Sequence, residues 1–73
     1  MEIEYRGNNR RPYADSDCFY TVRGIAGQSD ETVQAAICKR FGVTEFWATN
    51  KLTDYRRLDD DSADFTITSP YLD

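Results

Sequence analysis

Residues 29–42, SDETVQAAICKRFG, constrain the fold more than any other stretch, because they mark both ends of one helix. Ser29 is a good N-cap: its hydroxyl can accept from an unpaired amide of the first turn, and Asp30 and Glu31 add negative charge where the helix dipole favours it. Val33, Ile37 and Phe41 recur every four residues, flanked by Ala36 and Cys38, which gives an apolar stripe wide enough to cover a sheet. Gln34, Ala35 and Lys39 are expected to face away. Lys39 and Arg40 sit in the last turn, where positive charge is favourable, and Gly42 can take the left-handed conformation that closes the helix. A free helix of about 13 residues is marginal in water, so its stripe must be held by the rest of the chain or by a partner.

The rest of the chain is short. Seventy-three residues support one core, and a single domain spanning 1–73 is expected, with a stability of roughly 4–11 kcal/mol. Hydrophobic residues at 40% suffice for that core, and 2 prolines and 4 glycines argue against a linker or low-complexity tail. The net charge of -4 is unevenly spread: residues 1–28 hold four acids and four bases, the helix two of each, and residues 42–73 seven acids and three bases. The entire excess therefore lies in the last third.

No apolar run approaches the ~18 residues of a membrane span, and MEIEYRG lacks both the positive start and the apolar core of a secretory signal. A soluble, cytoplasmic protein is expected, although a secreted chain without its signal would read the same way. Cys18 and Cys38 fall short of a disulfide framework and read as reduced thiols, with a strand-to-helix bridge as the alternative. Histidine is absent, which removes the usual imidazole base or ligand, and two separated cysteines do not make a structural zinc site. No metal and no cofactor is expected.

Along the chain, Ile3 and Tyr5 alternate with Glu2, Glu4 and Arg6 as a short first strand, which Gly7, Asn8 and Asn9 are expected to stop. Residues 10–17 lack a sustained period and read as an irregular connection. Residues 18–27 form the best strand candidate, with Cys18, Tyr20 and Val22 on one face and Phe19, Thr21 and Arg23 on the other. Gly24 reads as a bulge or close approach, and Gly27 releases the chain into the helix. After it, residues 44–49 suggest a third strand in which either Phe46 and Ala48 or Trp47 points inward. Leu52, Tyr55 and Leu58 suggest a short irregular fourth. In residues 63–69, Phe65 and Ile67 oppose Asp64, Thr66 and Thr68 before Pro70, Tyr71 and Leu72. The expected fold class is α+β, with a single helix packed on one face of a small, mostly antiparallel sheet, in the order β-β-α-β-β with a possible fifth strand.

Chemistry is sparse. Asp59, Asp60 and Asp61 suit a divalent cation by oxygen type, but DDDSADFT lacks the spaced ligands and central glycine of an EF-hand loop and reads first as a solvated loop or an acidic contact surface. Without a histidine beside Cys18 or Cys38, and with no carboxylate pair fixed in separation, no enzyme is expected. The leading functional expectation is a small acidic protein-binding module or modulator of a larger partner, a basic one suiting its charge, in contact through Tyr55, Arg56, Arg57, Asp59, Asp60, Asp61 and Trp47. Accessory inhibitors carried by mobile elements are an analogy of type. The first alternative is single-stranded nucleic-acid or RNA binding through Arg6, Arg10, Arg11, Tyr13 and Arg23, by phosphate contact and base stacking, against which stands the acidic balance of the domain. The second is a structural homo-oligomer.

Overall fold

A computed structural model describes residues 1–45 and 49–70. A single helix packs on one face of a four-stranded antiparallel sheet in the order β-β-α-β-β. Strands β1 (Glu2–Asn9) and β2 (Ser16–Arg23) form one hairpin, helix α1 (Asp30–Phe41) follows, and β3 (Lys51–Arg57) and β4 (Ser62–Ser69) form a second. The two hairpins join through β2 and β4, giving the spatial order β1-β2-β4-β3. The strands that carry most of the buried residues are therefore central, and β1 and β3 are the edges.

The helix starts and stops where its caps demand. Ser29 is extended and its hydroxyl accepts from the Thr32 amide at 3.2 Å; Gly42 is left-handed at φ 65, and the Val43 amide returns to the Cys38 carbonyl at 2.9 Å. Val33 and Ile37 are fully buried against Val22, Ile25, Ala63, Phe65 and Ile67, with Phe41 packed on their rim. Tyr20 stacks on Phe65 with ring centroids 5.3 Å apart and meets Phe41 at 4.8 Å. This aromatic layer closes the core beneath the helix C-terminus. Gln34, expected to face away, is instead half-buried.

Two expectations need correction. β1 does not end at Gly7: Tyr5 opposes Tyr20 and Gly7 opposes Phe19, so Arg6 is one extra residue, a bulge that lets Asn8 and Asn9 continue the pairing. β2 ends earlier than expected, at Arg23, because Gly24 turns away at φ 80, although Ile25 still reaches the core. The segment read as a short irregular fourth strand is the third strand in sequence, the edge strand β3, and its irregularity is as expected. Thr53 opposes Thr66 and Arg56 opposes Asp64, so β3 carries one residue more than β4 across that interval, with Asp54 at φ 52. That extra residue turns both Leu52 and Tyr55, three apart, toward the core. The suggested third strand falls partly on Phe46, Trp47 and Ala48, which lie outside the described residues, as do Tyr71 and Leu72; the flanking Thr44, Glu45 and Thr49 are not in strand.

Candidate functional site

Strand register decides which charges meet. At one end of the sheet Glu2 opposes Arg23, Arg23 opposes Ser62, and Arg57 opposes Ala63; the helix N-terminus and the loop between β3 and β4 lie at that end too. It gathers Glu2 and Glu4 from β1, Asp30 and Glu31 from the first helical turn, and Asp59, Asp60 and Asp61 from the loop, against Arg23 and Arg57. The opposite end, where Asn9 opposes Asp17 and Lys51 opposes Thr68, receives Arg10 and Arg11 from the first hairpin and Lys39 and Arg40 from the end of the helix. The Asn50 side chain donates to the Phe41 carbonyl at 3.1 Å and fixes the helix C-terminus there. The molecule measures 41 × 24 × 16 Å and is acidic at one end and richer in base at the other. Sequence segregation showed the acidic last third but not the helix and β1 carboxylates that join it.

The acidic end is built around Arg57. Its Nε donates to the Asp59 carbonyl at 2.9 Å, one terminal nitrogen to the Gln28 carbonyl at 2.9 Å and the Asp30 carboxylate at 3.1 Å, and the other to the Ile25 carbonyl at 3.2 Å and the Asp60 carbonyl. A planar five-donor fork suits this task where an ammonium does not. Tyr55 donates its hydroxyl to the same Asp30 oxygen at 2.9 Å. That hydroxyl, and then Arg57, hold the Asp30 carboxyl below the usual carboxylate range; burial first, and then Asp30, push the Tyr55 hydroxyl up.

The aspartate triplet divides by role. Asp59 accepts from the Asp61 amide and the Ser62 hydroxyl, both at 2.9 Å, and these bonds depress its carboxyl. Asp61 meets the turn after β2: its carbonyl accepts from the Ile25 amide and its carboxylate from the Ala26 amide, both at 3.3 Å. The three aspartates are exposed, as expected of a solvated loop, and the loop is in addition pinned by bonds within itself and to the turn after β2. Asp60 projects outward, with its side chain 85% exposed and 4.0 Å from Arg57. Gln28, Ser29, Asp30, Arg57, Asp59 and Asp60 line a shallow, open depression of about 410 Å³. Arg56, opposite Asp64 on the other face of β3, is exposed, and Leu58 is 44% exposed. Of the residues read from the sequence as a contact group, Tyr55 and Arg57 are turned inward, Asp59 and Asp61 carry loop bonds, and Arg56 and Asp60 face solvent. Trp47 lies outside the described residues.

The residues of the nucleic-acid alternative also separate. Arg6 lies across the open face of the sheet, donating to the Tyr20 carbonyl at 3.1 Å and standing 3.8 Å from Asp64, and Arg23 pairs with Glu4. Arg10 and Arg11 remain exposed on the first hairpin, and Tyr13, at φ 59, is 83% exposed. The open face is otherwise a polar lattice in which the Thr21 hydroxyl donates to Asp64 and the Thr68 hydroxyl to Asp17, each at 2.7 Å. Cys18 and Cys38 are free, half-buried thiols. Among the described residues no group of three or more Cys, Asp or Glu is arranged to hold a metal ion, and no helix is long and apolar enough to cross a membrane. Compared with protein-family models, curated proteins and solved structures, the chain matches none.

Proposed function

We propose that the chain is a non-enzymatic protein-binding module that engages a basic partner through its acidic end. The observation that carries this reading is the convergence of carboxylates from three separate segments on one end, around a loop that internal bonds have already ordered. A pre-ordered loop loses little entropy on binding, and an outward field of one sign raises the encounter rate with an oppositely charged surface. Asp60 and Glu31 supply the most accessible charge, while Arg56 and Leu58 add directed hydrogen bonding and apolar area at the margin.

The structure also dictates how this is tested. Neutralising all three aspartates would remove the bonds of Asp59 and Asp61 and confound binding with loop disorder. The double variant Asp60→Asn/Glu31→Gln removes two outward charges and disturbs only the 4.0 Å approach of Asp60 to Arg57, leaving the bonds of Asp59 and Asp61 in place. With the wild type and this variant as paired baits in a host extract, and the captured protein then purified and titrated, the variant should associate about 5- to 10-fold more slowly at low salt. That difference should shrink as salt is raised. Equal rates for the two forms would refute the acidic-end reading.

A second reading, single-stranded nucleic-acid binding at the opposite end, is favoured by one observation: Tyr13 and the neighbouring Arg10 and Arg11 are all exposed on one hairpin. Recovery of nuclease-sensitive nucleic acid, lost on Arg10→Ala/Arg11→Ala and untouched by the acidic double variant, would establish it instead.

A further inference from the structure

The two edges of the sheet are not equivalent. β3 is kinked by its bulge at Asp54, and its end is tied to the helix and neighbouring turns through Tyr55 and Arg57. β1 is bonded to β2 along one side only and is straight from Glu2 to Tyr5, up to the bulge at Arg6. The helix packs toward β3, and on the same face, beyond the helix's cover, β1 carries Ile3, half-buried, and Tyr5, 53% exposed. The Tyr5 ring stands edge-on to Tyr20 at 5.6 Å, with its hydroxyl accepting from the Asn8 side chain, so a large apolar surface is held in place at an open edge. Unpaired strand edges beside exposed apolar surface are natural templates for another strand.

We propose that β1 pairs antiparallel with β1 of a second copy of this chain, about a two-fold axis through Glu4. The register follows from the side chains. With Glu4 opposite its own copy, Ile3 faces the second copy's Tyr5 on the helix side, twice, and Glu2 faces the second copy's Arg6 on the open side, twice. Opposite residues in an antiparallel pair share a face, and apolar and opposite-charge partners both favour pairing. Arg6 lies on the required face, since its guanidinium reaches Asp64 there. The two Glu4 carboxylates that meet at the axis are each already paired with Arg23 of their own chain. The next residue in either direction meets the Arg6 bulge, which confines pairing to five residues per strand. Because the contact is isologous and the β3 edge is kinked, growth stops at two copies, giving an eight-stranded sheet with both helices on one face. So short a pairing buries less than a standard interface, and the dimer should be weaker than about 1 µM in dissociation constant.

Sedimentation velocity over concentrations from about 10 µM to about 1 mM, with amide exchange of β1 at both extremes, tests this directly. The expected result is a reversible monomer–dimer equilibrium with added protection of alternate amides in residues 2–6 at high concentration. Glu2→Lys, which turns the cross-strand attraction into repulsion with Arg6, and Tyr5→Ser should each weaken association at least about 5-fold, whereas Lys51→Glu on the β3 edge should not. Melting curves show whether each variant is folded, and the exposed Glu2 site leaves the core untouched. A protein that stays monomeric across the range, a dimer indifferent to both β1 variants, or protection that maps to β3 would each overturn the proposal. A monomer that still binds a basic partner through Asp60 and Glu31 would overturn this proposal alone.

Discussion

Replacing Arg57 is the most informative perturbation of the acidic end, because five donors from one side chain join four segments. The bonds run to the carbonyls of Ile25 and Gln28 before the helix, to Asp30 within it, and to Asp59 and Asp60 after β3. The bond to Ile25 is partly buried and the others are more exposed, so the stabilisation per bond runs from about 0.5 to about 1.5 kcal/mol. Since the bonds share one side chain, they do not add fully, and the sum is on the order of 2–4 kcal/mol. Arg57→Lys keeps the charge but offers three donors from a single point and cannot span both loops. It should therefore lose most of that amount, roughly a third of the stability expected for 73 residues. Thermal unfolding by circular dichroism should show a fall of at least about 10 °C, and urea unfolding a lower midpoint. Arg56→Ala, beside it but exposed, should stay within about 0.5 kcal/mol. If Arg57→Lys also stays within about 0.5 kcal/mol, the bonds are ornaments of the folded state, and the claim of a pre-ordered loop fails with them.

Two further outcomes follow from the same contacts. Asp30 and Asp59 are depressed in the folded chain, so their contribution is complete above the unfolded carboxylate value near 3.9 and drains away as pH falls through the lower folded values; Asp30→Asn should flatten that acid limb in melting temperature, and an unchanged limb would contradict the assignment. The Tyr55 hydroxyl is pushed up, so its contribution is complete below about pH 10 and is lost as pH rises through the folded value, and Tyr55→Phe should abolish that alkaline loss. Ile37→Ala, at a fully buried position facing Val22 and Phe65, should cost roughly 2–5 kcal/mol in chemical unfolding, and a loss below about 0.5 kcal/mol would mean the helix presents another face.

The helix and β4 were legible because each carries a signal that is both local and periodic: a capped stripe of period near four in one, and alternation of Phe65 and Ile67 with Asp64 and Thr66 in the other. β3 was harder to read, since Leu52 and Tyr55 fit neither a strand nor a helix until the extra residue at Asp54 is counted, and a bulge leaves no mark in composition. β1 hid its length for the same reason at Arg6. At the acidic end, the triplet of aspartates was conspicuous and its division of labour was not. Arg57 finds its partners in backbone carbonyls, those of Asp59 and Asp60 close by and those of Gln28 and Ile25, 29 and 32 residues away, and every residue type carries a carbonyl, so no pattern could announce them. Asp30 read as a helix-dipole residue and is also the hub shared by Tyr55 and Arg57. Arg6 and Arg23 looked like ligand-contacting cations by charge and interleaving with tyrosines, whereas their carboxylate partners come from other strands, Glu4 on the adjacent β1 for Arg23 and Asp64 on β4, one strand further, for Arg6.

The joining of the two hairpins through β2 and β4 bears on how the chain acquires its structure. Each hairpin closes over a short loop and can form early, but neither holds a core: β4 supplies Ala63, Phe65 and Ile67, and β2 and the turn after it supply Val22 and Ile25. The pairing of Ser16 with Ser69 and of Arg23 with Ser62 brings together residues far apart in sequence, an entropy cost met before any of the burial is gained. The helix cannot settle until both faces of that seam exist. Folding should accordingly be a single cooperative event limited by the zipping of β2 to β4, and amides along that seam should exchange only through complete unfolding, while the ends of β1 and β3 open on their own.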